Sequence, residues 1–159
     1  MGTVIKVGIA DANIANAPDS LISYALGSCV GICLYDPETK LSGMAHILLP
    51  ERPNNDASVL KYADSAIPTL LSEMIRNRAM RSRIVAKIAG GANMFAGVFK
   101  GQNSMIGERN VKITKDTLAK LGIPIVAEDV GGTSGRTIEF TSADGLLRVR
   151  SLPSKDIKI

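Results

Sequence analysis

The sequence has 159 residues, 45% of them hydrophobic, and a formal net charge of +4. A single domain of this length buries about 70% of its unfolded surface, so residues 1–159 are expected to fold as one domain without a disulfide or metal scaffold. Three Phe, three Tyr and no Trp leave few stacking faces for single-stranded nucleic acid, and no apolar run approaches the ~20 residues a bilayer-spanning helix needs.

In chain order, Thr3 to Ile9 alternates as a first strand, and Asp11 to Ser20 reads as a loop rich in Asn, Asp, Ala and Pro. The start has no long apolar segment of the signal-peptide kind and no myristoylation pattern, so a soluble, cytoplasmic protein without membrane insertion is expected. Residues 21–50 hold both cysteines and the only histidine, and read as a β-hairpin turning at Asp36-Pro37-Glu38-Thr39. With Pro37 and Glu38 central, Asp36 faces Thr39, Tyr35 faces Lys40 and Cys29 faces His46. Directly opposed residues have Cβ atoms about 4.5–5.5 Å apart, within reach of a thiol–imidazole contact. A one-residue bulge at Gly31 or Gly43 would instead put the two side chains on opposite faces. Along the first hairpin strand, Val30, Ile32 and Leu34 share one face, and Cys29, Gly31, Cys33 and Tyr35 the other.

Pro50 to Ala57 is a polar loop. Ser58 to about Met80 has helical spacing, interrupted by Pro68, which kinks or splits it. Arg76, Arg78, Arg81 and Arg83 concentrate positive charge, read either as a solvated helix face or as a surface for an acidic partner. Ile84 to Ala89 is a strand ending in Gly90-Gly91, and Gly97 to Asn110 reads as loop. A helix is expected over Lys115 to Leu121, capped by Thr114 and ended by Gly122, then a strand over Ile123 to Val130. Arg136–Thr141 and Leu146–Ser151 form a hairpin around Ala143-Asp144-Gly145. Two helices and six or seven strands imply an α+β fold, a layered sandwich of mostly antiparallel β-sheet with helices on one side.

Cys29 and Cys33, about 13 Å apart along one strand, are too distant for a disulfide, which needs Cα atoms within about 4.4–6.8 Å. One His and two Cys fall short of a closed zinc set, so neither a metal site nor a cofactor is expected. Cys33 reads as core. Cys29 follows Leu26-Gly27-Ser28, where free amides near the sulfur can stabilise an oxyanion, and only His46 can activate it. By residue type, Ser23, Asp36, Asn93 and Thr133 are candidates to orient the imidazole, and spacing does not choose among them. Gly90-Gly91-Ala92-Asn93 fits no phosphate-binding pattern and reads as a tight turn bringing Asn93 and Phe95 to the site.

Leu26-Gly27-Ser28-Cys29-Val30, Gly43-Met44-Ala45-His46, Gly90 to Phe95, Ile106-Gly107-Glu108-Arg109-Asn110 and Asp129-Val130-Gly131-Gly132, in this order, resemble the chemoreceptor glutamine deamidases of the CheD family. The resemblance implies a fold similar to the catalytic domain of cytotoxic necrotising factor toxins. It implies deamidation of glutamines in the cytoplasmic helical region of methyl-accepting chemotaxis receptors through a cysteine thioester, with some methylesterase activity. A CheC-type phosphatase is the implied partner. It also implies Cys29 as nucleophile, His46 as base and Ser23 at a third position usually held by Thr. Gly27, Ser28, Asn93 and Phe95 are the expected oxyanion and substrate-binding residues. The competing readings are a non-catalytic adaptation module binding receptor or phosphatase, and a thiol redox sensor.

Overall fold

The computed structural model describes residues 2–94, 105–151 and 154–159. Its described strands are β1 (Val4–Lys6), β2 (Asp11–Asn16), β3 (Ser20–Leu26), β4 (Val30–Asp36), β5 (Leu41–Ile47), β6 (Val85–Gly90), β7 (Ile125–Val130), β8 (Arg136–Thr141), β9 (Leu147–Ser151) and β10 (Lys155–Lys158), and its helices are α1 (Ala63–Arg76) and α2 (Ile106–Lys120). They form two five-stranded sheets, ordered β1-β3-β8-β9-β10 and β2-β5-β4-β6-β7. All pairings are antiparallel except β1 with β3 and β6 with β7. The expected α+β sandwich, mostly antiparallel with helices on one side, is what forms.

The two faces of β4 separate as alternation requires. Val30, Ile32 and Leu34 pack with Ile67, Leu70, Leu71 and Met74 of α1 and Leu118 of α2. Cys33 and Tyr35 pack with Ile138, Phe140, Leu147 and Val149 of the facing sheet. The layers therefore run sheet, sheet, helices, with β4 at the centre and buried along its whole length.

Residues 21–36 do not form one long strand. β3 belongs to the first sheet and β4 to the second, and the chain crosses between them at Gly27-Ser28-Cys29. The hairpin register is also two residues from the expected one: Asp36 faces Leu41, Tyr35 faces Ser42 and Gly31 faces His46. The Asp36 carboxylate is the reason. Its Oδ1 accepts from the N–H of Glu38 (3.0 Å) and Thr39 (3.4 Å), and Lys40 turns through a left-handed φ of 55°, so the loop holds four residues instead of two. Burial alone would raise this carboxyl's pKa. The Arg83 fork and the amides of Met80, Glu38 and Thr39 outweigh burial and bring it to about 2. A shift of two residues preserves the side-chain face, so Cys29 and His46 stay on the same side of the sheet.

Three other expectations are corrected. Asp11–Asn16 is an edge strand, not a loop, paired with β5 from Asp11↔His46 to Asn16↔Leu41; an edge position tolerates its polar residues. α1 begins at Ala63, not Ser58, because Asp56 binds the Ser58 N–H (2.8 Å) and the Tyr62 hydroxyl (2.5 Å), holding this segment outside the helix. It continues through Pro68 and ends at Arg76, where Arg78, at φ 80°, lets Ala79 N–H reach Met74 C=O and its own N–H reach Ile75 C=O. α2 begins at Ile106, so Thr114 lies buried in mid-helix and caps nothing, while Gly122 terminates it as expected. Its buried face is Gly107, Asn110, Thr114, Thr117 and Leu118, too polar for hydrophobic periodicity to register. Among the described residues no helix is long and apolar enough to cross a membrane.

Candidate functional site

The site lies where β3 crosses to β4, between the two sheets. Ser23 is supplied by the first sheet, His46 by the second and Cys29 by the connection. All three are buried, Ser23 completely and His46 at 1% exposure. A β-bulge follows Ser23, where the pairing of β3 with β8 breaks before Leu26 and Ala25 adopts a φ of 58°.

Ser23 Oγ stands 2.7 Å from Val7 C=O and 2.7 Å from His46 Nδ1. Together these distances determine the tautomer. A hydroxyl has one proton, and a carbonyl only accepts, so Ser23 donates to Val7 and accepts from His46. The neutral imidazole therefore carries its proton on Nδ1, leaving the Nε2 lone pair free. Nε2 is buried and has no hydrogen-bond partner among the described residues. Burial lowers the imidazole's pKa, with the Val7 carbonyl pulling weakly the other way. Burial likewise raises the Cys29 thiol's pKa, opposed by its own backbone amide. Thiol and imidazole are thus both neutral at rest near pH 7, an arrangement of general-base type rather than a standing thiolate–imidazolium pair.

The crossover is held by its carbonyls. Gly27 C=O accepts from Ala92 N–H (2.9 Å), Ser28 C=O from Asn110 Nδ2 (2.9 Å) and Cys29 C=O from Gly91 N–H (2.8 Å). Gly90 and Gly91, at φ 112° and 67°, make this possible, since a Cβ on Gly90 would strike the Cys29 carbonyl oxygen. Arg136, buried under the turn, donates to Gly90 C=O (3.3 Å) and Gly131 C=O (2.7 Å) and pairs with Asp129 (3.3 Å).

Of the four candidates to orient the imidazole, Ser23 is the one in contact with it. Asp36 is engaged at the hairpin loop, Thr133 is exposed, and Asn93 joins the neighbouring loop by donating its N–H to Gly132 C=O (2.8 Å). Asn93 Oδ1 is buried without a partner among the described residues. Phe95 lies outside the described residues. Of the arginine patch, Arg83 is bound to Asp36, Arg76 to Glu73 (2.5 Å) and Arg81 to Leu121 C=O (2.8 Å). Cys29 and Cys33 are both free thiols. Asn110, which the sequence offers only as the end of a family block without a role, and Arg136 are the site-building residues not expected at the site. Asn110 is hidden in a stretch read as loop, and Arg136 in a strand whose charged first residue reads as exposed.

A buried serine–histidine pair and a thiol at the crossover between the sheets, on a two-sheet sandwich backed by helices, define the class: an α+β fold with a candidate thiol–imidazole site. Solved structures share the architecture. Protein NMB0706 of Neisseria meningitidis (family-model DUF152) aligns with a TM-score of 0.54 at 12% identity, covering 82% of this chain and 64% of that one. The hypothetical protein YfiH of Bacillus licheniformis aligns at 0.50 and 17% identity, covering 75% and 49%. At such identities the likeness concerns the fold alone. The family model described as CheD chemotactic sensory transduction matches residues 48–151. A relative in Lachnoclostridium phytofermentans, named probable chemoreceptor glutamine deamidase CheD, is 48% identical over 163 residues, spanning 100% of both chains and hence the site. The chemoreceptor glutamine deamidase CheD of Halalkalibacterium halodurans is 46% identical over 157 residues, covering 96% of each. The chain belongs to the CheD family.

Proposed function

We propose that this protein deamidates glutamine side chains in the cytoplasmic helical region of methyl-accepting chemotaxis receptors, with Cys29 as nucleophile and His46 as the proton carrier. The observation that carries the reading is the Ser23–His46 pair, whose hydrogen bonding leaves Nε2 as a buried base with no partner among the described residues, on the thiol's side of the sheet. The names of the relatives supply the substrate class.

In the first half-reaction the thiol proton passes to His46 Nε2 as Sγ bonds to the amide carbon, and the amide oxygen takes the negative charge. In this reading the amides of Ser28 and Cys29 hold that oxyanion. His46 then returns the proton to the departing nitrogen, the C–N bond breaks, and ammonia leaves a thioester. In the second, His46 takes a proton from water as its oxygen attacks the thioester. Cleavage regenerates the thiol and leaves glutamate, adding one negative charge to the receptor. A glutamyl methyl ester would enter the same cycle with methanol as leaving group, which is the basis for methylesterase activity. A CheC-type phosphatase belongs to the same reading as partner.

The test is incubation with a receptor cytoplasmic fragment. Ammonia should appear in step with the glutamine-to-glutamate mass change, mapped by peptide. A fragment that is bound but remains unmodified would replace the enzyme reading with that of a binding module.

Ser23 supplies a graded check. Ser23→Ala removes the acceptor for Nδ1–H and should lower kcat about 10–100-fold, and it should cost about 1–3 kcal/mol of stability through the unpaired Val7 carbonyl and imidazole. Ser23→Thr, which keeps the hydroxyl, should stay within about threefold of wild type in the same ammonia-release assay.

A further inference from the structure

Asn110, in the second turn of α2, is completely buried, and its amide group sits across the site. Nδ2 donates to Ser28 C=O (2.9 Å) and to Leu48 C=O (3.0 Å). Since both partners only accept, the nitrogen and oxygen of this amide cannot be exchanged. Oδ1 is buried and has no partner among the described residues. One NH₂ group thus links the residue before the nucleophile to the residue two beyond the base.

Peptide planarity gives this link a consequence. In a trans peptide the carbonyl of one residue and the N–H of the next point in opposite directions. Fixing Ser28 C=O toward α2 turns the Cys29 N–H away from α2. Likewise, Gly27 C=O held by Ala92 turns the Ser28 N–H away from the Gly91–Ala92 loop. Among the described residues no backbone carbonyl accepts from either N–H. The Leu48 bond acts on the other strand. There the β4–β5 ladder ends at Val30↔Ile47, and Leu48 turns its N–H to Lys61 C=O (2.9 Å) and its carbonyl to Asn110.

We infer that Asn110 is a positioning residue for the deamidation, aiming the Cys29 amide at the developing oxyanion through the Ser28 carbonyl and fixing that donor relative to the His46 strand through Leu48. The inference rests on the Cys29 reading proposed above. Asn110 touches neither substrate nor thiol, so its effect falls on kcat, not on substrate binding or thiol chemistry.

Asn110→Leu keeps the branched shape and removes both donors. Ammonia release from the receptor fragment should lose about 10–100-fold in kcat with KM within about twofold. Alkylation of Cys29 by iodoacetamide, a displacement that builds no oxyanion, should stay within about twofold of wild type. If Asn110→Leu does not accumulate as folded protein, Asn110→Asp, which sets an acceptor against both carbonyls, should show the same split. Wild-type kcat in the folded variant would overturn the inference, as would kcat and alkylation falling by the same factor. Cys29→Ala run in parallel separates the two levels. Full ammonia release by Cys29→Ala defeats the nucleophile reading itself, whereas an inactive Cys29→Ala beside a fully active Asn110 variant defeats only the role of Asn110.

Discussion

Cys29→Ala should abolish deamidation, lowering ammonia release by at least ~10⁴-fold, because removing the nucleophile of a covalent mechanism leaves only the catalysis supplied by binding and the oxyanion donors. The substitution removes one sulfur atom at the rim of the inter-sheet core, and Cys29 is 7% exposed. The cavity cost should be small, about 1 kcal/mol, so the thermal midpoint should move little while activity disappears. Receptor binding measured alongside should persist, since Cys29 offers little surface. Activity surviving in Cys29→Ala would leave Cys29 no catalytic part and make it, like Cys33, a buried small hydrophobe.

His46→Gln is expected to cost about 10²–10⁴-fold, the usual contribution of a positioned general base, and to change the pH profile. The wild-type rate requires neutral His46 to accept the thiol proton. Because burial lowers the imidazole's pKa, the acid limb of kcat/KM should have its midpoint below ~6.5, the ordinary histidine value. In His46→Gln that limb should vanish. The residual rate should instead climb with pH as the thiol ionises unaided, a rise extending into alkaline pH because burial also raises the Cys29 pKa. Stability carries the same sign. The folded state disfavours imidazolium, so His46 makes no demand above ~6.5 and destabilises as pH falls below it toward the lowered folded value. A wild-type acid limb unchanged in His46→Gln would remove His46 from the mechanism.

Much of this site was legible in the sequence, for reasons that can be identified. The period of two along Val30 to Tyr35 assigned Cys29 to the face opposite Val30, Ile32 and Leu34, and that assignment survived a hairpin register wrong by two residues because an even shift preserves the face. The register itself depended on how a buried Asp36 would bind the amides of its own loop and an arginine 47 residues away, which no local turn rule contains. The segment read as one hairpin over residues 21–50 contributes to both sheets, and the break between β3 and β4 is what lets Ser23 and His46 meet across layers. Leu26-Gly27-Ser28 marked the flexible point but not the change of sheet. Asn110 was illegible for a different reason. A helix whose buried face is Gly, Asn and Thr has no apolar stripe, and its meaning depends on carbonyls 62 and 82 residues distant in sequence. Asp11–Asn16 was missed for the same kind of reason, as an edge strand held by backbone pairing to β5.

The central claim is a covalent bond between Cys29 and the receptor glutamine, and trapping that bond tests it most directly. Wild-type protein mixed with receptor fragment and quenched in acid within the first turnovers should yield a conjugate whose mass is the sum of protein and fragment less one ammonia. Peptide mapping should place it on Cys29, and hydroxylamine should release it as the glutamyl hydroxamate. Ammonia production at full rate with no conjugate at Cys29 at any quench time, and no hydroxamate formed, would contradict the account.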